Sequence, residues 1–181
     1  MPSWNSRGLR GSALEDLINL SNGIYREKHL AVIQKVPTPI TPINIDKTSR
    51  HITLAYFDHK STVDYIGVVQ GIPICFDAKE CATDTFALAN VHEHQIEFMR
   101  EYEDQGGIAF LLISFKKQDC YYYLTYDRLR EFWNRAAEGG RKSFRFEELD
   151  PEYIVTSSCG VYIHYLDALQ KDLLREDRKT K

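Results

Sequence analysis

The chain has 181 residues, 43% of them apolar and 27% charged, with a formal net charge of -3. That length and apolar content suffice for one domain with a full core and argue against general disorder. A weakly acidic total excludes a protein that holds nucleic acid by overall charge, so any such surface must be a local cluster of Lys and Arg.

Residues 1–11, with Arg7, Gly8, Arg10 and Gly11, read as a flexible basic arm. Ser12 followed by Glu15 is a capping box, and Leu14, Leu17 and Ile18 behind it give a helix with one apolar face running through Ile24 and Tyr25 toward Lys28. Leu30 to Lys35 reads as a strand. Pro37, Pro39 and Pro42 then forbid a helix or a central strand. Around them Ile40, Ile43, Ile45, Ile52, Leu54 and Tyr56 alternate with polar residues on either side of Asp46 to Arg50. This predicts a projecting stalk over about 37–56, two extended arms with a polar tip, and excursions of that kind are usually functional when ordered. Val63 to Val69 and Ile72 to Lys79 flank Gln70-Gly71, a hairpin pattern. Phe86 to Asn90 leads into a helix over about Val91 to Asp104, stopped by Gly106-Gly107. Ile108 to Phe115 is an unbroken apolar run, as in a strand buried on both faces, and Tyr121 to Leu124 is a further strand. Tyr126 to Ala137 is helical with Leu129, Phe132 and Trp133 as its buried stripe, closed by Gly139-Gly140. Tyr162 to Arg175 is a last amphipathic helix, with a charged tail over about 170–181 expected to fray. Nothing divides the chain, so the expectation is a single α/β domain, a mixed sheet flanked by helices with a protruding insertion.

Cys75, Cys81, Cys120 and Cys159 form no CxxC pair and read as thiols in a reducing compartment. The run Ile108 to Ile113 is far too short to span a membrane, and Met1 to Arg10 lacks the apolar core of a secretory signal. A cytoplasmic protein without membrane attachment is expected.

The residues that can carry chemistry gather around the predicted hairpin. Asp64 stands at the start of its first strand, and Asp77 and Lys79 at the end of its second, two residues apart and so on one face. Thr62 and Asp64 have the same spacing. Pairing through Gln70-Gly71 sets Asp64 opposite Asp77. Two neighbouring carboxylates repel, a divalent cation relieves that repulsion, and an oxygen-rich site of this type suits magnesium. A lysine beside them can orient a water or neutralise charge developing on a phosphate. The competing reading is a solvated cross-strand ion pair. The apolar context of Ile74, Cys75 and Phe76 counts against it, because charges at the end of such a strand need a reason. Gln95, early in a helix, reads by itself as an exposed glutamine, and Glu15 as a capping residue. His92 and His94, at i and i+2, are expected on opposite sides of their helix in capping or hydrogen-bonding roles. Lys35, Lys47, Arg50, Lys116 and Lys117, with Arg128, Arg130, Arg135, Arg141, Lys142 and Arg145, could together form a basic face for duplex phosphates, joined by Arg7 and Arg10 of the arm.

Asp64 followed by Asp77-Ala78-Lys79 resembles the PD-(D/E)xK nuclease signature. The segments Ser61-Thr62-Val63-Asp64-Tyr65, Phe76-Asp77-Ala78-Lys79-Glu80, His92-Glu93-His94-Gln95-Ile96 and Gln105-Gly106-Gly107-Ile108 resemble the RecU-type Holliday junction resolvases. So do Arg7-Gly8 with Leu14-Glu15, Pro37-Thr38-Pro39, and Gly139-Gly140-Arg141-Lys142-Ser143, in the same order over about residues 7–168. The family usually has Glu where this chain has Asp77, and the Pro of the wider signature is absent before Asp64. The resemblance implies a restriction-endonuclease-like fold with a stalk, and metal ligation by Thr62, Asp64, Asp77 and Gln95. It further implies Lys79 as transition-state stabiliser and Glu15 as an accessory carboxylate. It implies a magnesium-dependent endonuclease, manganese substituting, that acts as a homodimer on four-way junction DNA in recombination and repair. The host recombinase and branch-migration proteins are candidate partners. The alternatives are another nuclease of the same superfamily, or a non-catalytic DNA-binding modulator of a recombinase.

Overall fold

The computed structural model describes residues 13–57 and 62–179, with side chains described as far as 175. Its elements are α1 (Ala13–Glu27), β1 (Ala31–Lys35), β2 (Ile40–Asp46), β3 (His51–Phe57), β4 (Tyr65–Val69), β5 (Ile72–Cys81), β6 (Thr85–Ala87), α2 (Glu93–Asp104), β7 (Ile108–Phe115), β8 (Cys120–Thr125), α3 (Tyr126–Ala137), β9 (Ser143–Arg145), β10 (Ile154–Val155) and α4 (Tyr165–Lys179). Short 3-10 turns lie at Leu88–Asn90, Phe146–Glu148 and Pro151–Tyr153. Arg7, Arg10, the rest of the basic arm, Ser12 and Ser61 lie outside the described residues.

A six-stranded sheet in the order β1-β4-β5-β7-β8-β10 forms the body. Only β5 and β7 run parallel, because the chain between them passes over one face as α2; the other neighbours are antiparallel. Every residue of β7 is buried, which explains its unbroken apolar run. The helices α1, α2, α3 and α4 seat apolar faces on this sheet through Leu14 and Ile18, Ile96 and Met99, Leu129 and Phe132, and Ala168 and Leu169. The sheet is thus mixed and flanked by helices, as the alternation of patterns predicted.

An aromatic ladder crosses the sheet on one face. Tyr65 stacks on Phe76 with ring centroids 4.7 Å apart, Phe76 on Phe110 at 4.7 Å, and Phe110 on Tyr123 at 4.1 Å. Because alternate residues of a strand face opposite ways, Asp77, next to Phe76, points to the other face. Gly67 pairs with Ile33 in the β1–β4 ladder. A Cβ there would stand 2.7 Å from the Ile33 Cα and overlap the Val32 carbonyl oxygen, so only glycine lets these strands approach.

β2 and β3 form their own two-stranded antiparallel hairpin, joined at Lys47 to Arg50. The projection expected at about 37–56 is therefore present, and Pro42 fits because neither strand is central. Asp46 caps the tip, accepting from Thr48 N at 2.9 Å and Ser49 Oγ at 2.5 Å.

Three expectations change. The last helix begins at Tyr165 and runs to Lys179, taking in most of the segment expected as a charged tail. The cause is packing: Asp172 is buried and accepts the Tyr123 hydroxyl at 2.9 Å, and Lys171 donates to the Glu152 carbonyl at 2.7 Å. The small β6–β9 ribbon and β10 carried no periodic signal, being three and two residues long. Trp133 is only half-buried, lining a cleft with Leu88, Val91 and Lys142. Among the described residues no helix is long and apolar enough to cross a membrane.

Gly67→Ala should lower stability by about 1–3 kcal/mol, the usual cost of forcing a methyl into packed backbone. Urea denaturation followed by circular dichroism measures this, and an unchanged midpoint would refute the close approach of β1 to β4.

Candidate active site

The β4–β5 register pairs Tyr65 with Phe76, and one step further along the chain Asp64 comes level with Asp77. Asp64 sits just outside β4 and accepts a hydrogen bond from the Ala78 amide through Oδ2 at 2.9 Å. Its own carbonyl accepts from Val36 N at 2.8 Å. The Asp77 side chain is fully buried. Its Oδ1 accepts from Gln95 Nε2 at 2.8 Å, and the Lys79 ammonium lies against Oδ2. No hydrogen bond of good geometry reaches Oδ2 among the described residues.

Gln95 reaches the site because it occupies the first turn of α2. His92 N donates to Gln95 Oε1 at 3.1 Å, which fixes the amide and directs its N–H at Asp77. The expected convergence of Asp64, Asp77, Lys79 and Gln95 is thus seen. Thr62 is half-buried in the bend before β4, and so does not share a strand face with Asp64. Glu15, in the first turns of α1, binds Lys35 Nζ through Oε2 at 2.6 Å, and its carbonyl is 3.5 Å from the Tyr65 hydroxyl. These contacts tie it to Lys35 and Tyr65 and not to Asp64 or Asp77. His92 lies outside the helix in extended backbone, so its ring stacks on that of His94, centroids 5.4 Å apart, instead of pointing away from it.

Electrostatics mark Asp77 as the unusual group. Burial, then the neighbouring Asp64 charge, push its carboxyl up to about 7, with Lys79 pulling the other way. A buried carboxylate facing a second carboxylate, with their repulsion only partly offset by Lys79 and Gln95, fits a cation. Among the described residues no group of three or more His, Cys, Asp or Glu could hold one. Two carboxylates side by side, completed by neutral oxygens and water, are a combination that magnesium commonly accepts.

Residues 9–171 match the family model for Recombination protein U. The chain belongs to the RecU family. It is 42% identical over 167 residues to the Holliday junction resolvase RecU of Limosilactobacillus reuteri strain DSM 20016, covering 90% of this chain and 82% of that protein. It is 38% identical over 175 residues to the Holliday junction resolvase RecU of Bacillus subtilis strain 168, covering 94% and 82%, and 40% identical over 174 residues to that of Staphylococcus aureus strain MRSA252, covering 93% and 84%. A Holliday junction resolvase of known structure from Archaeoglobus fulgidus overlaps 62% of this chain and 74% of its own at 8% identity and a TM-score of 0.34, too low to bear on fold or chemistry.

In this RecU chain most of the expected basic face is already paired. Lys35 holds Glu15, Lys116 holds Glu80 at 3.0 Å, and Lys117 holds Asp84 at 2.5 Å. Arg135 and Arg141 share Glu148, at 2.6 and 3.4 Å, and Arg128 and Arg130 pair along α3 with Glu131 and Asp127. Hydrogen bonding from Arg135 holds the Glu148 carboxyl below the usual range. Such exposed pairs are weak, so phosphates can compete for these cations, but they give no standing basic surface. Among the described residues Lys47, Arg50 and Lys142 have no ion pair. Composition could not reveal the partners; the anchoring of Asp64 by the Ala78 amide was available from the hairpin register.

Asp77→Asn keeps an acceptor for Gln95 and removes the charge that burial and Asp64 oppose. In chelator at pH 8 it should stabilise the protein by on the order of 1 kcal/mol, since a raised carboxyl is a stability cost to the ionised form. It should also abolish any stabilisation by added magnesium. Thermal denaturation of both proteins, with and without magnesium, tests this; a variant less stable than wild type in chelator would refute the account of the site.

Proposed function

We propose that the protein is a divalent-metal-dependent endonuclease that resolves four-way DNA junctions in recombination and repair. The observation that carries this reading is the convergence of Asp64, Asp77, Lys79 and Gln95 beside a projecting hairpin in a RecU-family chain. A decayed, non-catalytic site would have no need to keep a costly buried carboxylate against a second one. The relatives' names place them as junction resolvases, which supports the same substrate here.

Asp64 and Asp77 would hold the cation, magnesium by preference with manganese substituting, and the family resemblance adds Thr62 and Gln95 as neutral ligands. Gln95 now uses its Oε1 on His92 N–H, so joining the ligands requires that bond to open. The cation would polarise the scissile phosphate and lower the pKa of an attacking water. Lys79 keeps a positive charge beside Asp77, where it can orient that water and offset the charge gathering on the phosphate as one P–O bond forms and another breaks. The Ala78 amide fixes the Asp64 carboxylate, and Glu15 neutralises Lys35 at the border of the site.

Symmetric cleavage of a four-way junction needs two sites related by a two-fold axis, so a homodimer is part of the reading. Val32, Ile66 and Val68 on the outer strands are exposed, as are Ile43, Ile45, Ile52 and Leu54 of the hairpin, and a second copy is the proposed cover for this apolar surface. Arg7 and Arg10 of the arm, with Lys116, Lys117, Arg141 and Lys142, are proposed phosphate contacts. The host recombinase and branch-migration proteins are proposed partners, in the cytoplasm where the DNA lies.

Cleavage of a synthetic junction should require magnesium or manganese, whereas calcium should support binding with little cutting, because its looser coordination misplaces water and phosphate. Asp64→Asn and Asp77→Asn should each remove nearly all cleavage and leave junction binding largely intact, Lys79→Ala should slow the chemistry severely, and Asp77→Glu should retain activity. Single-turnover assays check these; full cleavage in excess chelator, or wild-type rates for Asp77→Asn, would overturn the site.

Among the described residues the hairpin tip presents Lys47 and Arg50 without competing carboxylates from other elements. Replacing residues 39–53 by a short Gly/Ser turn should leave a folded dimer that loses most of its preference for junctions over linear duplex. Lys47→Ala with Arg50→Ala should weaken junction binding more than duplex binding and reduce its salt dependence. Gel-shift competition decides: undiminished discrimination by the folded deletion variant would rule the hairpin out as the junction reader.

A further inference from the structure

The hairpin and the metal site share one anchoring point. The β1–β4 ladder pairs Lys35 with Tyr65, and Val36 N extends it by one hydrogen bond to the Asp64 carbonyl, at 2.8 Å. Pro37 and Pro39 follow and have no N–H, so the ladder ends there and the chain turns out into β2. Val36 is therefore both the root of the hairpin and a clamp on the residue that carries a metal-binding carboxylate. On the return path β3 ends at Phe57, and Thr62 and Asp64 follow after a short segment outside the described residues.

The mechanics of this root favour transmission over absorption. Two prolines between clamp and strand restrict the backbone, so a displacement of the hairpin is passed to Val36 instead of being lost in a flexible link. The Gly67 contact locks β1 closely against β4. Lys35, the residue before Val36, pairs with Tyr65 in the ladder and reaches Glu15 of α1, so the root is tied to the sheet beside the site. Asp64 is then held at two ends: its carbonyl by the hairpin root, its carboxylate by the Ala78 amide of β5 at 2.9 Å. A shift of the root changes the strain between them and hence the separation of Asp64 from Asp77.

Building on the nuclease reading above, we propose that Val36 and the Pro37-Thr38-Pro39 link are positioning elements that couple occupation of the hairpin by a junction to the placement of Asp64. Junction selectivity then acts on the rate of chemistry as well as on binding. A duplex that occupies the phosphate contacts without engaging the hairpin leaves Asp64 in its resting position.

Hydrogen–deuterium exchange of the full chain in chelator, with and without a four-way junction, reads this coupling without metal or turnover. Three proteins are compared: wild type, Val36→Pro, which deletes the donor, and Pro37→Gly with Pro39→Gly, which softens the link and leaves the donor. In wild type the junction should slow exchange in the hairpin, residues 40–57, and also in residues 62–67, the latter by about fivefold or more. In both variants the hairpin should still be protected while 62–67 no longer respond. Cleavage of saturating junction should fall about tenfold to a hundredfold at nearly unchanged junction affinity, as expected for a misplaced catalytic group. Should Val36→Pro fail to fold, the glycine pair decides alone. Equal protection of 62–67 in wild type and the glycine pair, with unchanged rate at saturation, overturns the coupling and leaves the nuclease reading standing. A junction that protects no part of the wild-type hairpin overturns the coupling and the hairpin as junction reader together.

Discussion

The register of β4 against β5 is the constraint on which the site depends. Gln70 and Gly71 both adopt positive φ, 47° and 91°, between Val69 and Ile72, the geometry of a two-residue turn whose twist matches the strands it joins. That turn sets Tyr65 on Phe76, and the stacked rings of Tyr65, Phe76, Phe110 and Tyr123 occupy one face of the sheet. A slip by one residue would drive Asp77 into this aromatic layer and turn Phe76 outward. The penalty for that exchange keeps both carboxylates on the side where Gln95 and Lys79 meet them.

The same arrangement sets packing against chemistry. Asp77 is buried between an apolar strand and α2, where an ionised carboxylate loses solvation, and Asp64 adds repulsion. Gln95 and Lys79 offset part of this, each from one side. What remains is a charged pair whose cost is tolerated because the surrounding core is extensive. The α2 cap serves two ends at once: one amide group satisfies His92 N at the start of the helix and holds Asp77 within the sheet.

Much of this was legible in residue order, and the reasons for success and failure are physical. The strand β7 announced itself because a strand buried on both faces must be apolar throughout, and α3 because its buried stripe and glycine stop are local signals. The hairpin register was legible because a two-residue turn leaves no freedom in the pairing. Gln95 was not, by itself, since an early-helix glutamine looks the same whether it faces water or Asp77; only the family resemblance singled it out. The stacking of His92 on His94 was misread because periodicity presumes helical backbone, and His92 is extended. The burial of Asp172, which carries α4 on through the expected tail, depends on Tyr123, nearly fifty residues earlier in the chain, and no local pattern records such a partner.

Charge distribution explains how a weakly acidic chain can still be built for DNA. On the body of the molecule several Arg and Lys are matched by carboxylates: Glu148 serves Arg135 and Arg141, Asp84 serves Lys117, and Glu80 serves Lys116. Matching of this kind leaves little field to attract uniform duplex and lets only closely placed phosphates compete for the cations. At the hairpin tip the balance differs. Asp46 turns inward to Thr48 and Ser49 and stabilises the turn, while among the described residues Lys47 and Arg50 have no carboxylate from another element against them. Their unmatched charge stands at the end of a two-stranded arm whose isoleucines are exposed along its length. A solvated arm would not keep those side chains apolar, and a simple duplex clamp would not place these cations at the tip of a separate two-stranded arm. Both features are accounted for if the arm works inside an assembly, its sides against a second copy of the chain and its tip within the opening of a branched DNA. The protein then reads shape through the position of a few charges, and its overall sign of charge matters little.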